Sequence, residues 1–225
     1  MTFNARLLAA LAIAMLPFAA AWAADEAEAD LEPIEIKLPE PSYMGTPLDY
    51  WSEHLEISFK KREPFMAPKG AEIVSTDAKV TASVKPEVGT LDMIVDGDKE
   101  AKDSSYVELA DGVQYVQIDL GRPCEIYAII LWHYHAEERV YFDTICKIAK
   151  DADFTEDVET IYNNDYDNSA GLGVGEDKEF IENAEGRLID AKGKVAQFIR
   201  LYSNGNTTDD RNHYVEVEVW GKPVE

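Results

Sequence analysis

Residues 114–132 read QYVQIDLGRPCEIYAIILW, and this stretch decides the fold. Apolar and polar side chains alternate over residues 115–120, which is typical of a β-strand with one buried face, and Gly121 ends the pattern. Residues 126–132 form an almost continuous apolar run. Such a run predicts a second strand that is buried on both faces.

Short strand-like segments recur over the rest of the chain, and turn sequences such as Asp96-Gly97, Asp111-Gly112 and Asn204-Gly205 separate them. No long segment has the 3.6-residue periodicity of a helix. The pattern therefore predicts an all-β, antiparallel sandwich or jelly roll. The further predicted strands are residues 80–84, 140–149, 158–162, 195–203 and 214–220.

The first 23 residues have the features of a signal peptide. Arg6 precedes an apolar run over residues 7–18, and Ala21-Trp22-Ala23 is a cleavage site of the small-x-small type. A membrane span needs about 20 apolar residues, so this run is short for one, although an uncleaved N-terminal anchor is the alternative. We expect cleavage near Ala23 and a secreted, periplasmic or cell-surface protein with no transmembrane segment in the mature chain.

Residues 24–68 form an acidic, proline-rich N-terminal arm, and the main domain follows at residues 69–225. Six of the chain's ten prolines lie in the arm, which favours extended backbone over helices. Ile34, Ile36 and Leu38 alternate with the period of a strand. We expect the arm to pack along the main domain.

Composition excludes several classes of function. Among 225 residues, 46% are hydrophobic and the formal net charge is −23, so we expect a folded protein that does not bind nucleic acid. Cations and neutral sugars remain as ligands. No motif of a hydrolase, metalloprotease or nucleotide-binding enzyme occurs, which predicts a non-catalytic protein. Cys124 and Cys146 fit either a disulfide or two separate buried thiols.

Five phrases in a fixed order carry a resemblance to a known family. The chain resembles the discoidin or F5/8 type C domains over residues 69–225, which implies a galactose-binding-like jelly roll like that of bacterial carbohydrate-binding modules. The loop after Asp98 is longer than in the family, lacks its frequent tryptophan, and the terminal cysteine pair of animal members is absent. The phrases are residues 94–98 (IVDGD), 114–121, 126–132, 198–202 and 215–221.

The resemblance implies a structural calcium ion between the Asp-Gly-Asp loop and the last strand. Carboxylates that converge at one end of a sheet need a cation to offset their repulsion, and Ca²⁺ takes six to eight oxygen ligands. The alternative is an Asp-Gly turn beside a solvated glutamate. The candidate ligands are Asp96, Asp98, Ser104, Ser105 and Glu216.

A second acidic loop contains Asp165, Asp167, Ser169 and Glu176. Its spacing is similar to that of an EF-hand, but Ala170 occupies the sixth position, where an EF-hand requires glycine. A glycine-rich surface loop is the favoured interpretation, and an irregular calcium or ligand loop is the alternative.

In modules that this chain resembles, loops at one end of the sandwich bind sugar through a stacking aromatic ring and polar side chains. For each residue the alternative is a structural role in the core or in bracing a loop. The candidate ligand-binding residues are Trp132, His133, His135, Arg139, Arg211, Asn212 and His213.

These observations predict an exported, non-catalytic carbohydrate-binding protein with a structural calcium site, whose partner is a glycan or cell-surface polysaccharide. The alternative is a protein-docking or adhesion module of the cell envelope, whose arm clasps another envelope protein. An enzyme that uses His133 and His135 is a third, less favoured hypothesis.

Overall fold

A computed structural model describes residues 31–42, 50–58, 60–102 and 105–224. The predicted signal peptide with its cleavage site near Ala23 and the candidate ligand Ser104 lie outside these residues. Within the described part of the chain, no helix has the length and apolar character needed to cross a membrane. The strands are β1 (Leu31–Pro33), β2 (Met66–Pro68), β3 (Glu72–Ile73), β4 (Lys79–Ala82), β5 (Val107–Leu109), β6 (Gln114–His133), β7 (Ile145–Ala149), β8 (Glu159–Asn163), β9 (Arg187–Ser203) and β10 (Asn212–Pro223), with a 3-10 helix at Leu91–Val95.

The long strand β6 is the centre of an eight-stranded sheet. Six strands have the order β3-β10-β6-β9-β7-β8, while β4 pairs with β6 and β5 pairs with β10 outside this order. The first half of β6 pairs with β4 and its second half with β10, while β9 pairs with both halves. The register shifts between Asp119 and Cys124, where Gly121 has a φ of 73°. This break lets one strand serve both parts of the antiparallel sandwich, and the predicted all-β fold is confirmed.

The main core lies between the two parts of the sheet. It contains Ile118 from the first half of β6, Ile129 from the second half and Val217 from β10, all fully buried. Because side chains alternate along a strand, the neighbouring residues Ala128 and Ile130 point to the opposite face of β6. This second apolar face must be shielded from water by another part of the chain.

The N-terminal arm supplies this cover. β1 pairs antiparallel with β2, and Ile34, Ile36 and Phe65 pack against a second apolar cluster that includes Ile130 and Trp220. The prediction that residues 126–132 are buried on both faces is therefore confirmed, because one face meets the core and the other meets the arm.

The two strands predicted over 115–120 and 126–132 form the single strand β6, and two other predicted strands begin far from their expected first residues. The strand predicted over 140–149 begins only at Ile145, because residues 140–144 leave the sheet and Asp143 adopts a left-handed φ of 51°. The strand predicted from 195 begins at Arg187, since its first half pairs with the buried half of β6.

Both cysteines are buried and free. Of the two alternatives that the sequence allows, the structure has separate thiols, and burial raises the pKa of each.

Candidate functional site

The strands β6, β9 and β10 meet near the end of β6, and most of the predicted ligand-binding residues lie there. Trp132, the residue expected to stack on a sugar, has no exposed surface. Its Nε1–H donates to the carbonyl of Ala184 at 3.1 Å, and Gly186 packs so closely that an added Cβ would lie 2.6 Å from the ring. The stacking role expected for Trp132 is therefore corrected, because the protein itself encloses the ring.

His133 is likewise fully buried. Its Nδ1 lies 2.6 Å from Oε1 of Glu182, and its ring stacks on Tyr141 with a centroid distance of 4.2 Å. The contact is fully enclosed, because neither side chain has any exposed surface. Here it joins the end of β6 to the segment that precedes β9.

His213 and Asn212 make internal hydrogen bonds at the start of β10. His213 contacts the Tyr141 hydroxyl through Nδ1 at 2.9 Å and Glu108 through Nε2 at 3.2 Å, and burial lowers its pKa. Asn212 is fully buried and donates to the carbonyls of Ala110 and Gly112. Both side chains therefore hold loops in place and present no surface to a ligand.

The two predicted arginines form ion pairs within the domain. Arg139 lies 3.0 Å from both Glu137 and Asp209, and Arg211 lies 2.8 Å from Glu87. Arg139 is 8% exposed, so its guanidinium braces the loop after β6. Arg211 is partly exposed and is the one predicted ligand-binding residue that reaches the surface.

His135 differs from the other predicted ligand-binding residues in its hydrogen bonding. Its Nε2 lies 2.9 Å from the carbonyl oxygen of Lys99, and its Nδ1 has no hydrogen-bond partner among the described residues. Because a carbonyl oxygen can only accept, Nε2 carries the proton and Nδ1 is an acceptor. A buried polar atom without a partner costs about 1–3 kcal/mol.

His135 lines a cleft of about 400 Å³ between the arm and the sandwich. Arm residues form one wall, and the segment before β9 forms the other. The arm was not expected to be part of a binding site. The basic run Lys60-Lys61-Arg62 is the signal in the sequence that marks this wall. The cleft is lined by Pro41, Ser42, Ser58, Lys60, Lys61, His135, Asn183, Ala184 and Glu185.

The structure brings some of the predicted calcium ligands near one another. The 3-10 helix ends at Val95 with Asp96 as its C-cap, and the backbone N–H of Gly97 donates to Oε2 of Glu216 at 3.1 Å. Glu216 is 2% exposed, and burial followed by the charges of Asp96 and Glu218 raises its pKa to about 8. Asp98 is exposed and accepts the backbone N–H of Glu100.

Glu216 and Asp96 thus form an electrostatically strained pair that a divalent cation would relieve. Ser105 follows the residues that the structure leaves undescribed, and its backbone N–H donates to the carbonyl of Lys102. Among the described residues, Asp96, Asp98 and Glu216 are not gathered into one tight group of three carboxylates. Asp96 and Glu216 are thus the two predicted ligands whose charges interact, and a cation beside them would need backbone oxygens to complete its coordination.

The second acidic loop does gather three carboxylates. Asp143, Asp165 and Asp167 each offer an oxygen atom, and these atoms all lie within 4.8 Å of one another. Ser169 Oγ donates to Asp143 at 2.8 Å, and the N–H groups of Ser169 and Ala170 donate to Asp165. Hydrogen bonds from within the protein therefore stabilise part of the negative charge of these carboxylates.

Comparisons with known proteins agree with the fold. No family model and no curated protein matches the chain. Among solved structures, a family 89 glycoside hydrolase from Clostridium perfringens has a TM-score of 0.51 at 23% identity, with 68% of this chain and 15% of that chain covered. The chain therefore spans about 15% of the length of that enzyme, and the likeness shows the fold alone.

Two modules match with lower TM-scores. A fucose-binding module from Streptococcus pneumoniae has a TM-score of 0.47 at 15% identity, covering 66% of this chain and 96% of that one. A family 32 carbohydrate-binding module from Clostridium perfringens, in complex with GlcNAc-α-1,4-galactose, has a TM-score of 0.48 at 17% identity, covering 68% and 96%. The predicted resemblance is confirmed at the level of the fold, an antiparallel β-sandwich.

Proposed function

We propose that this protein is an exported, non-catalytic carbohydrate-binding protein whose loops are stabilised by calcium. One observation carries the proposal: the cleft between the arm and the sandwich has polar side chains on both walls, among them Ser42, Ser58 and Asn183. Sugars suit such a cleft because each hydroxyl can both donate and accept a hydrogen bond. A shallow cleft with few buried contacts gives weak monovalent affinity.

Export is proposed from the leader-like residues 1–23. Calcium is proposed at Asp96 and Glu216, where it would keep the carboxyl group of Glu216 ionised and hold the end of the 3-10 helix against β10. The ion's contribution would be structural, since the cleft is lined by other residues.

The docking alternative, in which the arm clasps another protein, receives less support. Glu56 N–H donates to the carbonyl of Glu179 at 2.8 Å, and Tyr50 Oη donates to the Glu179 carboxylate at 3.1 Å. These hydrogen bonds tie the arm to the sandwich of the same chain, while Trp51 and Ile57 of the arm are 77% and 61% exposed.

A glycan array tests the proposal. The mature chain is displayed as a tetramer so that avidity compensates for weak single-site binding. The array carries neutral and anionic oligosaccharides and is read with calcium and with chelator. We expect binding to a related subset of glycans that is reduced by chelator. An array with no bound glycan in either condition would overturn the proposal.

A further inference from the structure

The cleft has an unusual charge for this protein. The net charge of the chain is −23, yet Lys60-Lys61-Arg62 is its one run of three basic residues, and the two lysines line the cleft. A basic segment on so acidic a protein creates a local positive potential that attracts anions.

Arg62 holds this segment in place. Its guanidinium donates to the carbonyl of Gly186 at 2.9 Å, and its backbone N–H donates to Oε2 of Glu185 at 3.1 Å. Among the described residues that line the cleft, Glu185 is the one carboxylate, and its charge interacts with that of Arg62. Arg62 therefore offsets part of the negative charge on the opposite wall.

Lys60 and Lys61 are exposed, and neither forms an ion pair with a carboxylate in the described part of the chain. Other lysines without such a pair, Lys79 and Lys85 for example, lie outside the cleft, so what distinguishes Lys60 and Lys61 is their position beside it. An exposed ammonium group beside a cleft can pair with a negatively charged group on a ligand. The paired lysines are Lys99, Lys102, Lys150 and Lys194.

The walls of the cleft supply complementary polar groups. Ser42, Ser58 and Asn183 line it, and their hydroxyl and amide groups can donate to and accept from the hydroxyls of a sugar. The two lysines therefore suit negative charge, and these neighbours suit hydroxyls.

We infer that the cleft binds an anionic saccharide, a sugar bearing a carboxylate or a sulfate, whose charge is paired with Lys60 and Lys61 of the arm. This inference rests on the proposed carbohydrate-binding function and names its ligand class. It also makes the arm part of the binding site, because the sandwich alone lacks the two ammonium groups.

Calorimetric titration of the mature chain tests the inference with three probes. Trigalacturonate carries carboxylates, its methyl ester has the same sugar without the charge, and a sulfated galactose trisaccharide carries the other anion. We expect one or both anionic probes to bind at least tenfold more tightly than the ester, with affinity falling between about 20 and 200 mM salt because the charges are exposed. Preference for one anion identifies the natural group.

The double variant Lys60→Gln/Lys61→Gln should weaken binding of the preferred anionic probe at least tenfold. The matched control is Lys79→Gln/Lys85→Gln, which removes the same two charges from exposed positions on and beside β4. The control should bind within twofold of the unmodified protein. An equal loss in both variants would mean that binding follows overall charge and would overturn the inference.

Equal affinity for trigalacturonate and its methyl ester would also overturn the inference. If the glycan array shows binding to neutral sugars while both anionic probes fail, the ligand class is wrong and the carbohydrate-binding function stands. If no sugar of either kind binds, the proposed function fails as well.

Discussion

Glu216 is a carboxyl group enclosed by the sandwich, with the carboxylate of Asp96 nearby and a single backbone N–H as its donor. Burial disfavours its charged form, and the adjacent negative charge adds to that effect. Because the pKa of Glu216 is raised in the folded state, the free energy of unfolding depends on pH and falls as the pH rises.

We predict that in chelator the folded protein loses stability as pH rises through the range from about 4.5 to about 8. The folded state keeps the proton of Glu216 up to about pH 8, whereas the unfolded chain releases it near its ordinary pKa. Each pKa unit of difference is worth about 1.4 kcal/mol, so the loss is at most several kcal/mol.

Urea denaturation of the unmodified protein and of Glu216→Gln, at a series of pH values, isolates this one group. The substituted amide keeps an acceptor for the Gly97 N–H and cannot ionise, so the difference between the two free energies of unfolding should change with pH in this window. A constant difference would contradict the prediction.

The arm is the element whose role the structure changes most. It covers the outer face of β6 and β10, where Trp220 and Ile130 would otherwise be exposed to water, and it forms one wall of the cleft. An apolar surface of that kind is costly when exposed, so the arm belongs to the folded unit.

We predict that Phe65→Ala destabilises the protein by about 1–3 kcal/mol, less than the loss of a fully buried phenylalanine because Phe65 is only partly buried. The side chain packs against the second apolar cluster, and its removal loosens the arm.

Leu38→Ala is the matched control, since Leu38 lies in the same arm and is 42% exposed. Its free energy of unfolding should stay within about 0.5 kcal/mol of the unmodified value. Equal effects of the two substitutions in urea denaturation would show that the arm does not contribute through apolar packing.

The molecule as a whole carries a net charge of −23, so both screening by salt and specific binding of a cation should stabilise it. These two effects are separable. Screening depends on ionic strength alone, whereas a specific site saturates and stabilises the folded state by mass action.

We predict that millimolar calcium raises the melting temperature above the value in sodium chloride of equal ionic strength. Glu216→Gln should abolish the excess, because it removes a charged ligand of the proposed site. Asp165→Asn, which alters the three-carboxylate loop, should leave the excess in place. If Asp165→Asn instead loses the extra rise in melting temperature and Glu216→Gln keeps it, calcium binds at the second acidic loop and not at Glu216.

The alternation over residues 115–120 and the apolar run over 126–132 were sufficient to predict strands, since these patterns depend on neighbouring residues alone. The Asp96 loop and Glu216 were also predicted to meet, and the structure places a hydrogen bond between Gly97 and Glu216. In both cases the prediction used either local periodicity or an ordered set of motifs.

The sequence by itself determined an all-β chain, a buried central strand and a strongly acidic surface, because local side-chain patterns and total charge are properties of the chain. Only the tertiary structure decided which polar residues face inward. Trp132, His133 and Asn212 became internal because Gly186, Glu182 and the carbonyls of Ala110 and Gly112, all distant in sequence, pack against them. The same long-range packing placed Lys60 and Lys61 beside His135, a juxtaposition of segments about 75 residues apart that no local pattern encodes.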